Sequence, residues 1–157
     1  MSVRSGQRYS VTYSNGDQAN TGNVGWGGYE QANLVGDPNS GTCPNGAHVH
    51  TQTCWFNPNA FATPPLGTFG NLRPNPFQAQ RFWNVDFSLF RGFPVWSEGR
   101  KLEFRAEAFN LFNTVIFGAP NADQSQAPPP DGNFSTITQR ATGNNARVLQ
   151  FGLRFIF

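Results

Sequence analysis

The chain has 157 residues, of which 38% are hydrophobic and 13% are charged, whereas soluble domains average about 45–50% and 25%. It contains 16 Phe, 4 Trp, 3 Tyr, 17 Gly and 12 Pro. This composition argues against a helical bundle or a coiled coil, and against a disordered chain, which would be poor in aromatic residues. The net charge of +2 gives no electrostatic reason to expect a nucleic-acid partner.

Two familiar membrane-targeting segments are not expected in this chain. No apolar run reaches the roughly 18 residues that a membrane-spanning helix needs. Residues 1–10 have no apolar core of the kind found in signal peptides, so we expect none there.

Four segments alternate apolar and polar residues with the period of a β-strand, at about 7–14, 82–93, 101–112 and 147–157. The third is ambiguous. Its Leu, Glu, Arg and Ala residues favour a helix by propensity, whereas the strict alternation from Leu102 to Ala108 favours a strand. We predict a strand there and keep the helix as the alternative.

The connections between these segments differ greatly in length. Residues 94–100 form a link of hairpin length, whereas the connection over 15–81 contains ten Gly, seven Pro and five charged residues. The connection over 113–146 is also long. Loops of more than about 15 residues are unusual in compact soluble domains but normal on the outer side of outer-membrane barrels, whose periplasmic turns are short.

This pattern predicts an all-β fold whose antiparallel strands form the C-terminal part of a transmembrane β-barrel with long extracellular loops. Tilted strands of about 9–11 residues cross a membrane, and only closed barrels satisfy their backbone groups in lipid. The apolar stripes would face lipid, with Trp83, Phe93 and Trp96 in the interfacial girdles. The polar stripes would form a lumenal row of charges: Asp86, Glu103, Arg105, Glu107 and Arg154.

Four strands are too few for a barrel, which needs about eight, so we expect the chain to be one piece of a larger protein. Taken alone, it should form a curved sheet with an unpaired edge at each side and poorly ordered long loops. If Phe157 ends at the periplasmic side, the 94–100 turn is periplasmic and the loops 15–81 and 113–146 lie outside.

The residues that carry a family resemblance cover most of the chain from about residue 30 onward. The most specific are 82–90 (FWNVDFSLF), 104–113 (FRAEAFNLFN) and 147–157 (RVLQFGLRFIF), preceded by 33–39 (NLVGDPN) and 55–61 (WFNPNAF). With these stretches the chain resembles the C-terminal barrel segment of TonB-dependent outer-membrane receptors, in particular the Oar-like group common in acidobacteria.

The resemblance implies energy-coupled uptake of an unknown ligand by a parent protein in the outer membrane of a Gram-negative bacterium. The implied partners are the rest of the barrel and its plug, outer-membrane lipid, the barrel-assembly machinery, and TonB through an N-terminal part that this chain lacks. It also implies a C-terminal assembly signal, carried here by Phe151, Leu153, Phe155 and Phe157. The alternative is a secreted or cell-surface all-β module that binds a sugar or peptide.

Cys43 and Cys54 lie in the first long loop. In an oxidising compartment, a disulfide is the simple prediction. The alternative is a zinc site made with His48 and His50, although this spacing matches no established zinc pattern.

We expect no enzyme activity and no cofactor. On a strand, Glu103 and Glu107 would lie about 13 Å apart, too far for the paired carboxylates of a glycosidase. The glycine-rich stretch 25–29 lacks the Lys of a phosphate-binding loop. Four loop aromatics remain candidates for contact with an external ligand: Trp26, Tyr29, Trp55 and Phe56.

Overall fold

The computed structural model describes residues 1–22, 29–95, 99–128 and 131–157. Over these residues the chain forms short and long β-strands and a single 3₁₀ turn at Pro58–Ala60. No helix in the described part has the length and apolar character needed to cross a membrane. The strands in chain order are β1 (Ser2–Arg4), β2 (Arg8–Tyr9), β3 (Thr12–Tyr13), β4 (Glu30–Gln31), β5 (Asn33–Leu34), β6 (Phe61–Ala62), β7 (Phe77–Gln78), β8 (Phe82–Asn84), β9 (Phe87–Pro94), β10 (Lys101–Phe109) and β11 (Val148–Ile156).

The chain divides into two compact units. The first, called the strand unit, contains Met1–Ser5, Arg81–Ile116 and Gly143–Phe157. The second, called the loop unit, contains Gly6–Gln80 and Phe117–Thr142.

The strand unit is built on an antiparallel three-stranded sheet in the order β11-β10-β9. The central strand β10 pairs along its length with β11 and almost as far with β9. This outcome confirms the strand over the helix for the ambiguous segment, because a ladder on each side outweighs the helix propensity of its residues.

The predicted strand over 82–93 is two strands, β8 and β9, separated by Val85 and Asp86. β8 pairs with β1, and β9 pairs with β10. At the break, Asp86 Oδ1 accepts hydrogen bonds from the Asn110 backbone N–H at 2.9 Å and from Asn84 Nδ2 at 3.1 Å. The Asp86 carboxylate thus accepts a hydrogen bond from the Asn110 N–H, which would otherwise donate to a backbone carbonyl of a neighbouring strand.

The prediction of one strand over 7–14 is wrong. This segment forms the two-residue strands β2 and β3, which pair with β7 and β4. Its apolar residues Tyr9 and Val11 are buried in the loop unit. The alternation therefore reflects burial against other loop residues.

The long loops are also more ordered than expected. Three short antiparallel pairs, β2–β7, β3–β4 and β5–β6, hold the loop unit. Its core is a cluster of buried side chains: Tyr9, Val11, Ala32, Phe56, Ala60, Phe61, Leu72, Ala79 and Phe134. Phe56 lies at its centre, with ring centroids 5.3 Å from Phe61 and 5.2 Å from Phe134.

Two glycines allow close backbone contacts inside the loop unit. A Cβ on Gly70 would lie 1.8 Å from the carbonyl oxygen of Gln31, and one on Gly6 would lie 1.9 Å from that of Ala79. No other residue type fits at these positions without a backbone shift.

Candidate functional site

The three-stranded sheet has one apolar face. Directly opposed residues on neighbouring strands share a face, and the register places Leu153, Phe104 and Arg91 in one row across the sheet. Apart from Arg91, this face carries apolar side chains: Phe87, Leu89 and Phe93 on β9, Leu102, Phe104, Ala106 and Ala108 on β10, and Leu149, Phe151, Leu153 and Phe155 on β11.

The residues predicted as an assembly signal are exposed on this face and just beyond it. Phe151 is 68% exposed and Leu153 is 69% exposed. Phe155 and Phe157 are also exposed, with their rings stacked at 6.0 Å. No described part of the strand unit covers these side chains, so they are available to an external apolar phase.

The opposite face carries most of the predicted charge row. Glu103, Arg105 and Glu107 alternate along β10, and Glu103 lies opposite Arg154 in the register. Arg105 Nη2 and Glu107 Oε1 form an ion pair at 2.6 Å. Asp86 departs from the prediction, because it lies between β8 and β9 and bonds to Asn84 and Asn110.

Both edges of the sheet have free backbone groups. Within the described residues, β11 pairs only with β10, and β9 pairs only with β10. The N–H and C=O groups on the outer side of each edge strand are open to a further strand.

Arg91 is a feature that the sequence reasoning did not single out. It lies on the apolar face between Leu89 and Phe93 in the alternation, directly opposite Phe104. Its guanidinium carbon lies 5.4 Å from the centroid of the Phe93 ring. The sequence did contain a sign of it, because Arg91 is the one charged residue among the alternating apolar residues Phe87, Leu89 and Phe93.

A second missed feature is a turn built from asparagines after β10. Asn110 and Asn113 have positive φ angles of 53° and 51°, a conformation that Asn tolerates better than most residues. Asn110 Nδ2 donates to the Asn145 carbonyl at 2.8 Å, and Asn144 Oδ1 accepts from the Ile116 N–H at 2.9 Å. These bonds join the two ends of the 113–146 connection.

In the loop unit, Cys43 and Cys54 form a disulfide. Both sulfurs are therefore unavailable as thiolate ligands, which removes the zinc alternative with His48 and His50. Ser135 ties this loop to a distant segment, because its backbone C=O accepts from the Trp55 N–H at 2.7 Å and its Oγ accepts from the Phe56 N–H at 3.0 Å.

The loop aromatics have different environments. Phe56 is buried at 4% exposure, so it cannot contact an external ligand, and Trp55 is partly buried against the same core. Tyr29 is exposed and lines an open hollow of about 510 Å³ with Glu30, Gln31 and Phe69. Trp26, the rest of the glycine-rich stretch and the girdle residue Trp96 lie outside the described residues.

Two carboxyl groups of the loop unit have lowered pKa values. The backbone N–H of Thr21 lowers the pKa of Asp17 by donating to its carboxylate at 2.8 Å. Burial alone would raise the pKa of Asp123, but hydrogen bonds from Ser14 and Ser125 shift that pKa downward overall. Burial raises the pKa of the Tyr9 hydroxyl.

The family model of an outer membrane beta barrel domain matches residues 1–150. The chain belongs to this family. No curated protein and no solved structure matches it.

As an outer membrane beta barrel domain, the protein resides in the outer membrane, and lipid is part of its surroundings. In such barrels the outward band is apolar and the interior polar. The sheet has the same division, with an exposed apolar face and an opposite face that carries Glu103, Arg105 and Glu107. Residues 151–157 follow the matched range.

Proposed function

We propose that this outer membrane beta barrel domain is the C-terminal barrel segment of a TonB-dependent receptor that imports a ligand. The observation that carries the proposal is the exposed apolar sheet, whose edge strands β9 and β11 each pair on one side only among the residues that the structure describes. In lipid, unpaired edges are not stable, so both must join further strands of the same barrel.

Strand length supports a membrane-spanning role. β10 and β11 each contain nine residues. A strand of this length covers about 30 Å at roughly 3.4 Å per residue, or about 21 Å across a bilayer at a tilt near 45°. This approaches the apolar band of about 25 Å in outer-membrane barrels.

The resemblance in residues 82–90, 104–113 and 147–157 supports the finer assignment to the TonB-dependent, Oar-like group. Under this proposal the plug and the TonB contact belong to other parts of the receptor. The chain contributes barrel wall, outer loops and the C-terminal strand, and we assign no catalytic step to it.

The loop unit is the proposed ligand-facing part. It is a packed structure with a disulfide, which suits an oxidising exterior. The hollow beside Tyr29 and Phe69 presents aromatic side chains together with Glu30 and Gln31, a combination that binds polar organic ligands through ring contacts and hydrogen bonds.

The test uses an antibody raised against residues 29–80 on outer membranes of the source bacterium. We expect it to detect a receptor much larger than 17.3 kDa, and we expect the periplasmic domain of TonB to capture that receptor from detergent extracts. A general porin from the same extract serves as the control that TonB must not capture. A detected species of only the chain's own mass, or a large species that TonB does not retain, would contradict the proposal.

A further inference from the structure

We propose that Arg91 binds the phosphate of an anionic glycerophospholipid at the turn end of the sheet. Arg91 occupies the lipid-side face, with Leu89 and Phe93 as its neighbours along β9 and Phe104 opposite it. A guanidinium is always charged, and an isolated charge on the lipid face is destabilising at the bilayer centre but tolerated near the interface.

The position of Arg91 along the strand satisfies this condition. It lies three residues before Pro94, where β9 ends. That is about 10 Å along the strand, or roughly 7 Å along the bilayer normal at a tilt near 45°. An arginine side chain is long enough to cover much of this distance when it extends toward the strand end. The guanidinium of Arg91 can therefore reach the border between acyl chains and headgroups.

The direction of the side chain agrees with this placement. Its guanidinium carbon lies 5.4 Å from the centroid of the Phe93 ring, which is the next residue of this face toward the turn. The stem thus leads the charge toward the strand end, as long cationic side chains do when they reach from apolar surface to a polar phase. The aromatic face supports the cation without neutralising it.

The surrounding charge selects an anion. From 91 to 100 the chain carries Arg91 and Arg100 against Glu98, a net charge of +1 at pH 7. Lys101 lies opposite Pro94, on the other face of the sheet, and so points away from Arg91. A guanidinium matches phosphate oxygens with two parallel N–H donors, so the ligand chemistry is a phosphate carried on a lipid.

The choice of a glycerophospholipid over lipopolysaccharide rests on the orientation in the proposed function, in which the 94–100 turn is periplasmic. The binding itself does not depend on TonB or on transport. A failure of lipid binding therefore leaves the receptor proposal intact, and a receptor that TonB does not capture leaves the lipid site intact.

The test counts lipids retained by the whole barrel protein, purified from outer membranes in detergent, using native mass spectrometry. Phosphatidylglycerol is the probe, phosphatidylcholine is the zwitterionic control, and inorganic phosphate and lipopolysaccharide are supplied in separate arms. We expect Arg91→Gln to lower the affinity for phosphatidylglycerol about tenfold, the effect of losing one charge-assisted phosphate contact. Arg91→Lys, which keeps the charge, should retain most of it.

Arg154→Gln is the matched control. Arg154 lies opposite Glu103, which in turn lies opposite Gly92, so it stands near the level of Arg91 on the other face of the sheet. The Arg154→Gln variant should bind phosphatidylglycerol with the affinity of the wild type. Equal loss in both variants, unchanged binding in Arg91→Gln, displacement of the lipid by millimolar inorganic phosphate, or a preference for lipopolysaccharide would each overturn the proposal.

Discussion

Phe56 shows how far a single residue could be interpreted from the sequence. It was a candidate for ligand contact because aromatic residues in long loops are often exposed, yet it is at the centre of the loop unit's core. Of its two ring partners, Phe61 is close to Phe56 in the chain and Phe134 is distant from it. The sequence could not reveal this burial, because no periodicity connects these segments.

We expect Phe56→Ala to destabilise the loop unit by about 3–5 kcal/mol, the usual effect of removing a buried ring. Phe69→Ala is the control, because Phe69 belongs to the same unit and is 75% exposed. The measurement is the urea concentration at which half of the loop unit is unfolded, detected by protease cleavage at sites within residues 29–80. Equal midpoints for the two variants would show that Phe56 does not hold this core.

Asp123 provides a pH prediction. Its pKa is lowered in the folded protein, so it stabilises the fold fully above its unfolded pKa of about 3.9. This contribution is lost as the pH falls through the lower folded value. Ser125→Ala removes the donor to Asp123 Oδ1 at 2.7 Å, and it should raise the pKa of Asp123 toward its ordinary value. Carboxyl NMR titration measures this shift.

Ser40→Ala is the control for that titration, because the Ser40 hydroxyl donates to the backbone carbonyl of Asp37. It should leave the titration of Asp123 unchanged. If Asp123 titrates at the same pH in wild type and Ser125→Ala, the Ser125 hydroxyl does not contribute to its lowered pKa.

At the scale of elements, the sequence pattern was most reliable where strands are long and pair on a regular sheet. β10 and β11 lie within the predicted ranges, because alternation on a half-exposed sheet has one physical cause, the contrast between its faces. The 7–14 segment alternates for another reason, burial of Tyr9 and Val11 in a loop core. The pattern alone cannot separate these causes.

The terminal strand carries the prediction about assembly. We expect deletion of Phe157 from the whole barrel protein to lower its folded amount in the outer membrane severalfold. Among the described residues, one edge of β11 has no strand partner, and this edge, with its apolar side, is open to template pairing. Phe90→Ser is the control, since Phe90 is an exposed phenylalanine on the other face of β9, opposite Arg105. Heat-modifiable mobility in gels reports the folded fraction. Normal folding without Phe157, or equal loss in the control, would remove the signal from this strand.

For the whole molecule, the sequence predicted the class of fold and the membrane, and the family match supports both. It did not predict the compact loop unit. Its order depends on long-range contacts such as the Trp55 N–H bond to the Ser135 carbonyl, and a loop rich in Gly and Pro conceals them. The sequence analysis also missed Arg91. A single charged residue in an apolar stripe is not informative until the strand register shows which face of the sheet it occupies.

The separation of the two faces gives a direct prediction for the molecule in its membrane. Single cysteines at Leu149, Phe151 and Leu153 should be shielded from a charged maleimide and quenched by lipid-borne nitroxides when fluorescently labelled. Cysteines at Gln150, Gly152 and Arg154 should react with the maleimide through the lumen, because neighbouring strand residues face opposite sides. Gly152 accepts a side chain, since an added Cβ would lie 3.8 Å from the Arg105 Cβ, an ordinary contact. Equal maleimide reactivity of all six cysteines along β11 would mean that the apolar face of this strand does not contact lipid.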